Sequence, residues 1–285
     1  MAEIGKVAVV GAGTMGSGIA HVFSRSGFDV LLCDVEQRFL DRALVQIRTN
    51  LGREAAKGKL SEADIETAIG RIKTTTDRAA LADAEFAVEA APERFELKAE
   101  LFRALDEILG DGVILASNTS SISITKLAAL TQRPEHVIGM HFFNPVPVMA
   151  LVEVVRGLAT SDSTYATTHE LSVLLGKTPV EVNDAPGFVS NRVLMPLINE
   201  AAFAVMEGVA EPEAVDQVFK LGMAHPMGPL TLADFIGLDV CVDIMRVLQD
   251  GIGDPKYRAC PLLVRMVDAG WLGRKSGRGF YTYEK

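Results

Sequence analysis

The sequence predicts an α/β protein: a doubly wound, parallel sheet with helices on both faces, carrying an inserted helical pair and followed by an all-helical C-terminal region. Three observations predict it. Short apolar runs rich in Val and Ile alternate with longer segments of helical period. A glycine-rich turn joins the first run to the first helical segment. Beyond Asp184-Ala185-Pro186-Gly187 the pattern becomes wholly helical.

The runs at 7–10, 30–33, 86–88, 113–116 and 137–140 are short and bounded by Gly, Asp, Asn or Ser, as buried strands are. Helical periodicity fills most of the gaps between them. One gap is long. Residues 36–68 read as two helices, broken at Gly58 and restarted at Ser61, which with Glu62 and Asp64 supplies an N-cap and an acidic first turn. Arg48, Arg53, Lys57 and Lys59 recur there at spacings that can share a helical side. A further strand near 178–183 ends at the Pro-Gly turn, which divides the chain into domains 1–185 and 186–285. The second domain reads as helices over 188–207, 212–221, 229–248 and 261–269, the first kinked at Pro196.

With 285 residues, 48% apolar and 23% charged, the chain has the composition of a folded two-domain protein. A net charge of −9 argues against nucleic acid as the main partner, because that binding rests on neutralising phosphates. It leaves room for a small anion held by local donors. Cys33, Cys241 and Cys260 form neither a disulfide framework nor a zinc pattern, so no metal and a reducing cytoplasm are expected. The first apolar run begins too near Met1 for a leader peptide. No apolar stretch reaches the roughly 18 residues of a membrane span.

Gly11-Ala12-Gly13-Thr14-Met15-Gly16 follows the first strand and opens a helix, and Asp34 stands at the end of the second strand. That context matches the dinucleotide fingerprint of a Rossmann-type sheet. Gly11 permits the tight turn, Gly13 lets backbone approach a pyrophosphate, and Gly16 lets helix and strand pack closely. A carboxylate at position 34 can accept ribose hydroxyls and would repel a 2′-phosphate. Val35 and Glu36 follow it rather than arginine, so NAD is expected over NADP. The competing reading is a glycine turn that holds no ligand.

His141 stands at the C-terminal end of a predicted parallel strand, the edge where ligands of open α/β sheets bind. Imidazole suits proton transfer near neutral pH. Glu153 interrupts the apolar run Leu151-Val152-Glu153-Val154-Val155, where a carboxylate is costly unless paired. If Pro145 and Pro147 turn the chain back, Glu153 can orient His141 and stabilise its protonated form. A core histidine satisfied by a backbone carbonyl, with Glu153 at a solvated edge, fits the same spacing. In Ser117-Asn118-Thr119-Ser120-Ser121, hydroxyls and an amide either hold a ligand or cap the next helix. Asn191, near the start of the first C-terminal helix, has the same two readings.

Three further segments complete the pattern: Glu89-Ala90-Ala91-Pro92-Glu93 with Lys98, Pro186-Gly187-Phe188-Val189-Ser190-Asn191-Arg192, and Gly273-Arg274-Lys275-Ser276-Gly277-Arg278-Gly279-Phe280-Tyr281. With these, the fingerprint, the serine cluster and His141-Phe142-Phe143-Asn144-Pro145, the chain resembles the 3-hydroxyacyl-CoA dehydrogenase family over essentially its whole length. The resemblance implies hydride transfer between NAD and C3 of an (S)-3-hydroxyacyl-CoA, of short chain as in the bacterial 3-hydroxybutyryl-CoA enzymes. It makes His141 the general base and Glu153 its partner. Ser120 would bind the substrate oxygen and Asn191 would position the thioester side. Glu93, Lys98, Asn118 and Lys275 would be further cofactor contacts.

The inserted helical pair would lie over coenzyme A, and the helical domain would form a homodimer. No hydratase domain is appended, which implies the single-activity form. The pathway stays open between fatty-acid breakdown, aromatic-acid breakdown and synthesis of butanoate or polyester. Two other functions compete. One is a related dehydrogenase of a free hydroxy acid, a class that often uses lysine as its acid–base group. The other is an NAD-binding protein that has lost its chemistry.

Overall fold

The computed structural model describes residues 4–284. The chain divides into two compact units, residues 4–184 and 185–284.

The first unit contains β1 (Lys6–Val10), α1 (Thr14–Arg25), β2 (Asp29–Cys33), α2 (Gln37–Ala55), α3 (Glu62–Gly70), β3 (Ile72–Thr75), β4 (Phe86–Glu89), α4 (Phe95–Ile108), β5 (Ile114–Ser117), α5 (Ile124–Ala128), β6 (Val137–Phe142), β7 (Leu151–Arg156), α6 (Asp162–Leu174) and β8 (Thr178–Asn183). The strands form one eight-stranded sheet in the order β3-β2-β1-β4-β5-β6-β7-β8. Pairing is parallel from β3 to β6, antiparallel between β6 and β7, and parallel again between β7 and β8. Strand order reverses between β1 and β4, so the loops after those strands lead apart. Ligands of doubly wound sheets bind at that point.

Burial explains the elements. Val7, Ala8 and Val9 of β1 are wholly inaccessible, and β4, β5 and β6 are buried along their length, as befits strands covered on both faces. Helix α2 buries Leu40, Ala43, Ile47 and Leu51, one face of a 3.6-residue period. Helix α3 begins in a reciprocal cap: the Asp64 amide donates to Ser61 Oγ and the Ser61 amide to Asp64 Oδ2.

The second unit contains α7 (Ser190–Met206), α8 (Pro212–Gln217), α9 (Pro229–Ile236), α10 (Leu238–Ile252) and α11 (Pro261–Asp268). Its own core gathers Met195, Ile198, Cys241, Met245, Leu248 and Leu263. Two buried carboxylates anchor its C-terminal strap. Asp234 accepts the amides of Phe280 and Tyr281, and Asp216 accepts the Tyr281 hydroxyl.

Three elements differ from expectation. Strand β3 was not anticipated, because Ile72 is its only large apolar residue. The helix expected over 212–221 ends at Gln217 and continues as a π-helical turn over Val218–Gly222. The helix expected over 229–248 is two helices that meet at Gly237, whose φ of +107° no helix accommodates. A Cβ there would also lie 2.9 Å from Asp239 Oδ1 and 3.0 Å from Lys275 Nζ. Gly237→Ala should therefore destabilise the protein by about 1–2 kcal/mol. A thermal unfolding midpoint equal to the parent's would refute this.

Among the described residues, no helix is long and apolar enough to cross a membrane, and no cluster of His, Cys, Asp and Glu could hold a metal ion.

Candidate active site

Five parallel strands bring the sequence-predicted residues of the first unit to one edge of the sheet. Gly11 follows β1, Asp34 follows β2, the Ala90–Glu93 turn follows β4, Asn118 follows β5, and His141 is the penultimate residue of β6.

At the β1–α1 turn the glycines have different reasons to lack a Cβ. One on Gly11, whose φ is +107°, would lie 2.6 Å from the Ala90 carbonyl oxygen; one on Gly16 would lie 1.7 Å from that of Gly11. Backbone blocks both. A Cβ on Gly13 would meet nothing within 4 Å, so the helix start faces open space. Gly13 is the N-cap of α1 and supplies no side-chain cap, while Thr14 is exposed and Met15 half-buried. Uncapped helical N–H groups facing space attract an anion. Asp34 Oδ2 accepts the Ala12 amide at 2.6 Å and Oδ1 the Val35 amide at 2.7 Å. Each oxygen keeps a further lone pair for a ribose hydroxyl. These residues fit a dinucleotide: pyrophosphate at the Gly11–Gly16 turn, ribose at Asp34.

At the other end of this edge, β6 and β7 pair with His141 directly opposite Glu153. His141 Nδ1 lies 2.8 Å from Glu153 Oε2, with the residues 7% and 2% exposed. A carboxylate can only accept, so the neutral imidazole carries its hydrogen on Nδ1 and leaves Nε2 as the basic nitrogen. The Phe143 ring packs 4.6 Å from the imidazole, centroid to centroid. Asn118 Oδ1 accepts the Phe142 amide at 2.9 Å, which ties the end of β5 to the residue after His141.

Glu93 organises the loop after β5. Its Oε1 accepts the amides of Ser120 and Ser121 at 3.0 and 3.1 Å, the Thr119 hydroxyl at 2.5 Å, and the hydroxyls of Ser121 and Ser120 at 3.0 and 3.4 Å. Desolvation pushes the Glu93 carboxyl up, but the Lys98 charge and these donors outweigh it and hold the group below the usual carboxylate range. Lys98 itself is 1% exposed. Its ammonium donates to both oxygens of Glu89, at 2.7 and 2.9 Å, and to the Ala91 carbonyl at 3.0 Å.

Glu89, part of the Glu89–Glu93 segment of the sequence pattern, is not among the predicted site residues. It is a wholly buried carboxylate in an apolar strand, the same signal that singled out Glu153.

Asn191 and Lys275 belong to the second unit. Asn191 lies in the first turn of α7, where its backbone N–H donates to the Gly187 carbonyl at 3.1 Å. The residue before that helix's N-cap, Phe188, has a φ of 49°, a strained conformation of the kind that gathers at functional sites. Lys275 pairs with both oxygens of Asp239, at 2.6 and 2.7 Å, near the start of α10.

Residues 6–185 match the family described as 3-hydroxyacyl-CoA dehydrogenase, NAD binding domain, and residues 187–283 match its C-terminal domain. The chain is 51% identical over 282 residues to a 3-hydroxybutyryl-CoA dehydrogenase of Bradyrhizobium diazoefficiens, covering 99% of this chain and 96% of the relative. It is 49% identical over 280 residues to a 3-hydroxybutyryl-CoA dehydrogenase of Clostridioides difficile, covering 98% and 100%. Its structure resembles the crystal structure of (S)-3-hydroxybutyryl-CoA dehydrogenase from Ralstonia eutropha, with a TM-score of 0.97, 50% identity, and coverage of 99% and 100%.

Proposed function

The chain belongs to the 3-hydroxyacyl-CoA dehydrogenase family and is an NAD-dependent dehydrogenase, and from that premise we propose that it interconverts a short-chain (S)-3-hydroxyacyl-CoA and its 3-ketoacyl thioester, with the 3-hydroxybutyryl/acetoacetyl pair as substrate. The observation that carries the chemistry is the 2.8 Å contact between His141 and Glu153 at the ligand edge of the sheet.

In the oxidative direction, His141 Nε2 takes the proton of the C3 hydroxyl. Glu153 holds the imidazole by its Nδ1 hydrogen and stabilises the positive charge that develops. Bound NAD supplies the acceptor for the hydride that leaves C3. The Ser120 hydroxyl binds the substrate oxygen, held in place by its backbone bond to Glu93. In the reductive direction His141 returns the proton to that oxygen.

Gly11, Ala12, Gly13, Thr14, Met15 and Gly16 hold the pyrophosphate, and Asp34 holds the adenosine ribose. Asn118, Glu93, Lys98 and Lys275 are assigned to the cofactor's surroundings, and Asn191 to the thioester. The proposed domain 1–185 is thereby the NAD-binding domain and 186–285 the substrate and dimerisation domain. Exposed Val193, Val209, Leu221 and Phe235 support a homodimer formed by the second, since large side chains left in water favour association. The three buried free thiols fit a reducing cytoplasm.

The test is NADH consumption with acetoacetyl-CoA, run beside free acetoacetate and beside NADPH. Rapid loss only with NADH and the thioester is expected. Equal rates with free acetoacetate would favour a hydroxy-acid dehydrogenase. No turnover with any pair, while NADH still binds, would refute the assignment.

A further inference from the structure

The Glu89–Lys98 pair has no part in the proton transfer just described, yet it is the most deeply buried pair of opposite charges at this edge. Glu89 is 0% exposed and Lys98 1%. Such pairs are poor stabilisers: desolvation offsets their attraction, and apolar replacements of similar size are often neutral or better. The position of this one therefore calls for a reason other than stability.

Its contacts supply one. Glu89 Oε1 accepts the Ala91 amide at 2.6 Å, and Oε2 accepts the Ser117 hydroxyl at 2.6 Å. The carboxylate thus joins the ends of β4 and β5 as well as binding Lys98. The three protons of Lys98 are taken by Glu89 and the Ala91 carbonyl, which leaves its charge to act on Glu93 Oε2, 3.5 Å away. The other oxygen of Glu93 gathers the Thr119–Ser121 loop. A continuous polar chain therefore runs from Ser117 through Glu89, Lys98 and Glu93 to Ser120. Of the two bonds from Ser120 to Glu93 Oε1, the amide's at 3.0 Å is shorter than the hydroxyl's at 3.4 Å, so Glu93 holds this loop chiefly by its backbone.

We propose that the buried Glu89–Lys98 pair is a positioning device: it fixes the Glu93 carboxylate, which sets the Ser120 loop to receive the substrate's C3 oxygen. This rests on the reading of Ser120 as the residue that binds that oxygen. Lys98 then acts on the Ser120 loop through Glu93.

The test is a double-mutant cycle in the full chain with Glu89→Gln and Ser120→Ala, following kcat and KM for acetoacetyl-CoA and the Kd of NADH. Glu89→Gln keeps the shape and removes the charge. It should lower kcat roughly tenfold or more, as displacement of a positioned group does. NADH affinity should change by less than about twofold, and adding Glu89→Gln to Ser120→Ala should lower kcat by less than about twofold more, because the two changes disable one device. Additive losses would overturn the proposal and leave the Ser120 reading intact. A weakened NADH affinity with parental kcat would overturn it in favour of direct cofactor support. Parental turnover in Ser120→Ala would sink the Ser120 reading and the proposal together. Should Glu89→Gln fail to fold, Lys98→Arg, which keeps both charges and displaces the cation, is read in the same cycle against the same outcomes.

Discussion

His141→Ala should leave a protein that binds NADH as the parent does and turns over about 10²–10⁴ times more slowly, the usual contribution of one positioned acid–base group. The two readouts separate because of where the residue lies. His141 is at the end of β6, whereas the fingerprint turn and Asp34 follow β1 and β2, beyond β5 and β4 in the sheet. Loss of the imidazole empties a buried position beside Phe143 and leaves Glu153 without its 2.8 Å partner, so some loss of stability is expected too. Turnover must therefore be compared well below the variant's melting temperature. Oxidation and reduction should fall by the same factor, because one group takes the proton in one direction and returns it in the other. Near-parental turnover in either direction would remove His141 from the role, whatever happens to NADH binding.

The parts of this fold that could be read from the sequence are those that local rules decide. The fingerprint turn is one. Gly11 and Gly16 are required by backbone contacts within a few residues or with the adjacent Ala90, so their spacing carries the geometry with it. The buried strands are another, since a run such as Val7–Val10 has few soluble alternatives. The split at Gly237 was hidden because apolar periodicity continues across it, and only the positive φ separates α9 from α10. Strand β3 was hidden for the opposite reason. It is partly solvated, so it has neither an apolar run nor a clean alternation.

The site shows the same division. Spacing left His141 and Glu153 open to pairing or to separate fates, because a slip of one residue between β6 and β7 would turn Glu153 to the other face of the sheet. The observed register places them directly opposite each other. Glu89 carried a legible signal, a carboxylate in the apolar run before Ala90-Ala91. Its partner Lys98 lies on the following helix, a distance only the folded chain closes.

Glu153→Gln should reduce turnover by a factor approaching that of His141→Ala, and it tests how the pair works. The side chains match in size, so packing around a residue 2% exposed should be preserved and the melting temperature little changed. What changes is hydrogen-bond polarity. Glu153 can only accept, which keeps the imidazole hydrogen on Nδ1 and Nε2 basic. An amide can donate. If its NH₂ turns to Nδ1, the hydrogen moves to Nε2 and the base faces the wrong way. The corresponding carboxylate-to-amide change in Ser-His-Asp triads lowers turnover about 10⁴-fold with geometry intact. The check is kcat in both directions together with ¹⁵N shifts of labelled histidine, which report the nitrogen that bears the hydrogen. Slow turnover with the hydrogen moved to Nε2 would assign Glu153 to orientation of the base. Slow turnover with the hydrogen still on Nδ1 would assign it to the charge on the imidazolium instead. Parental turnover would leave the 2.8 Å contact as packing alone and return the acid–base role of His141 to question.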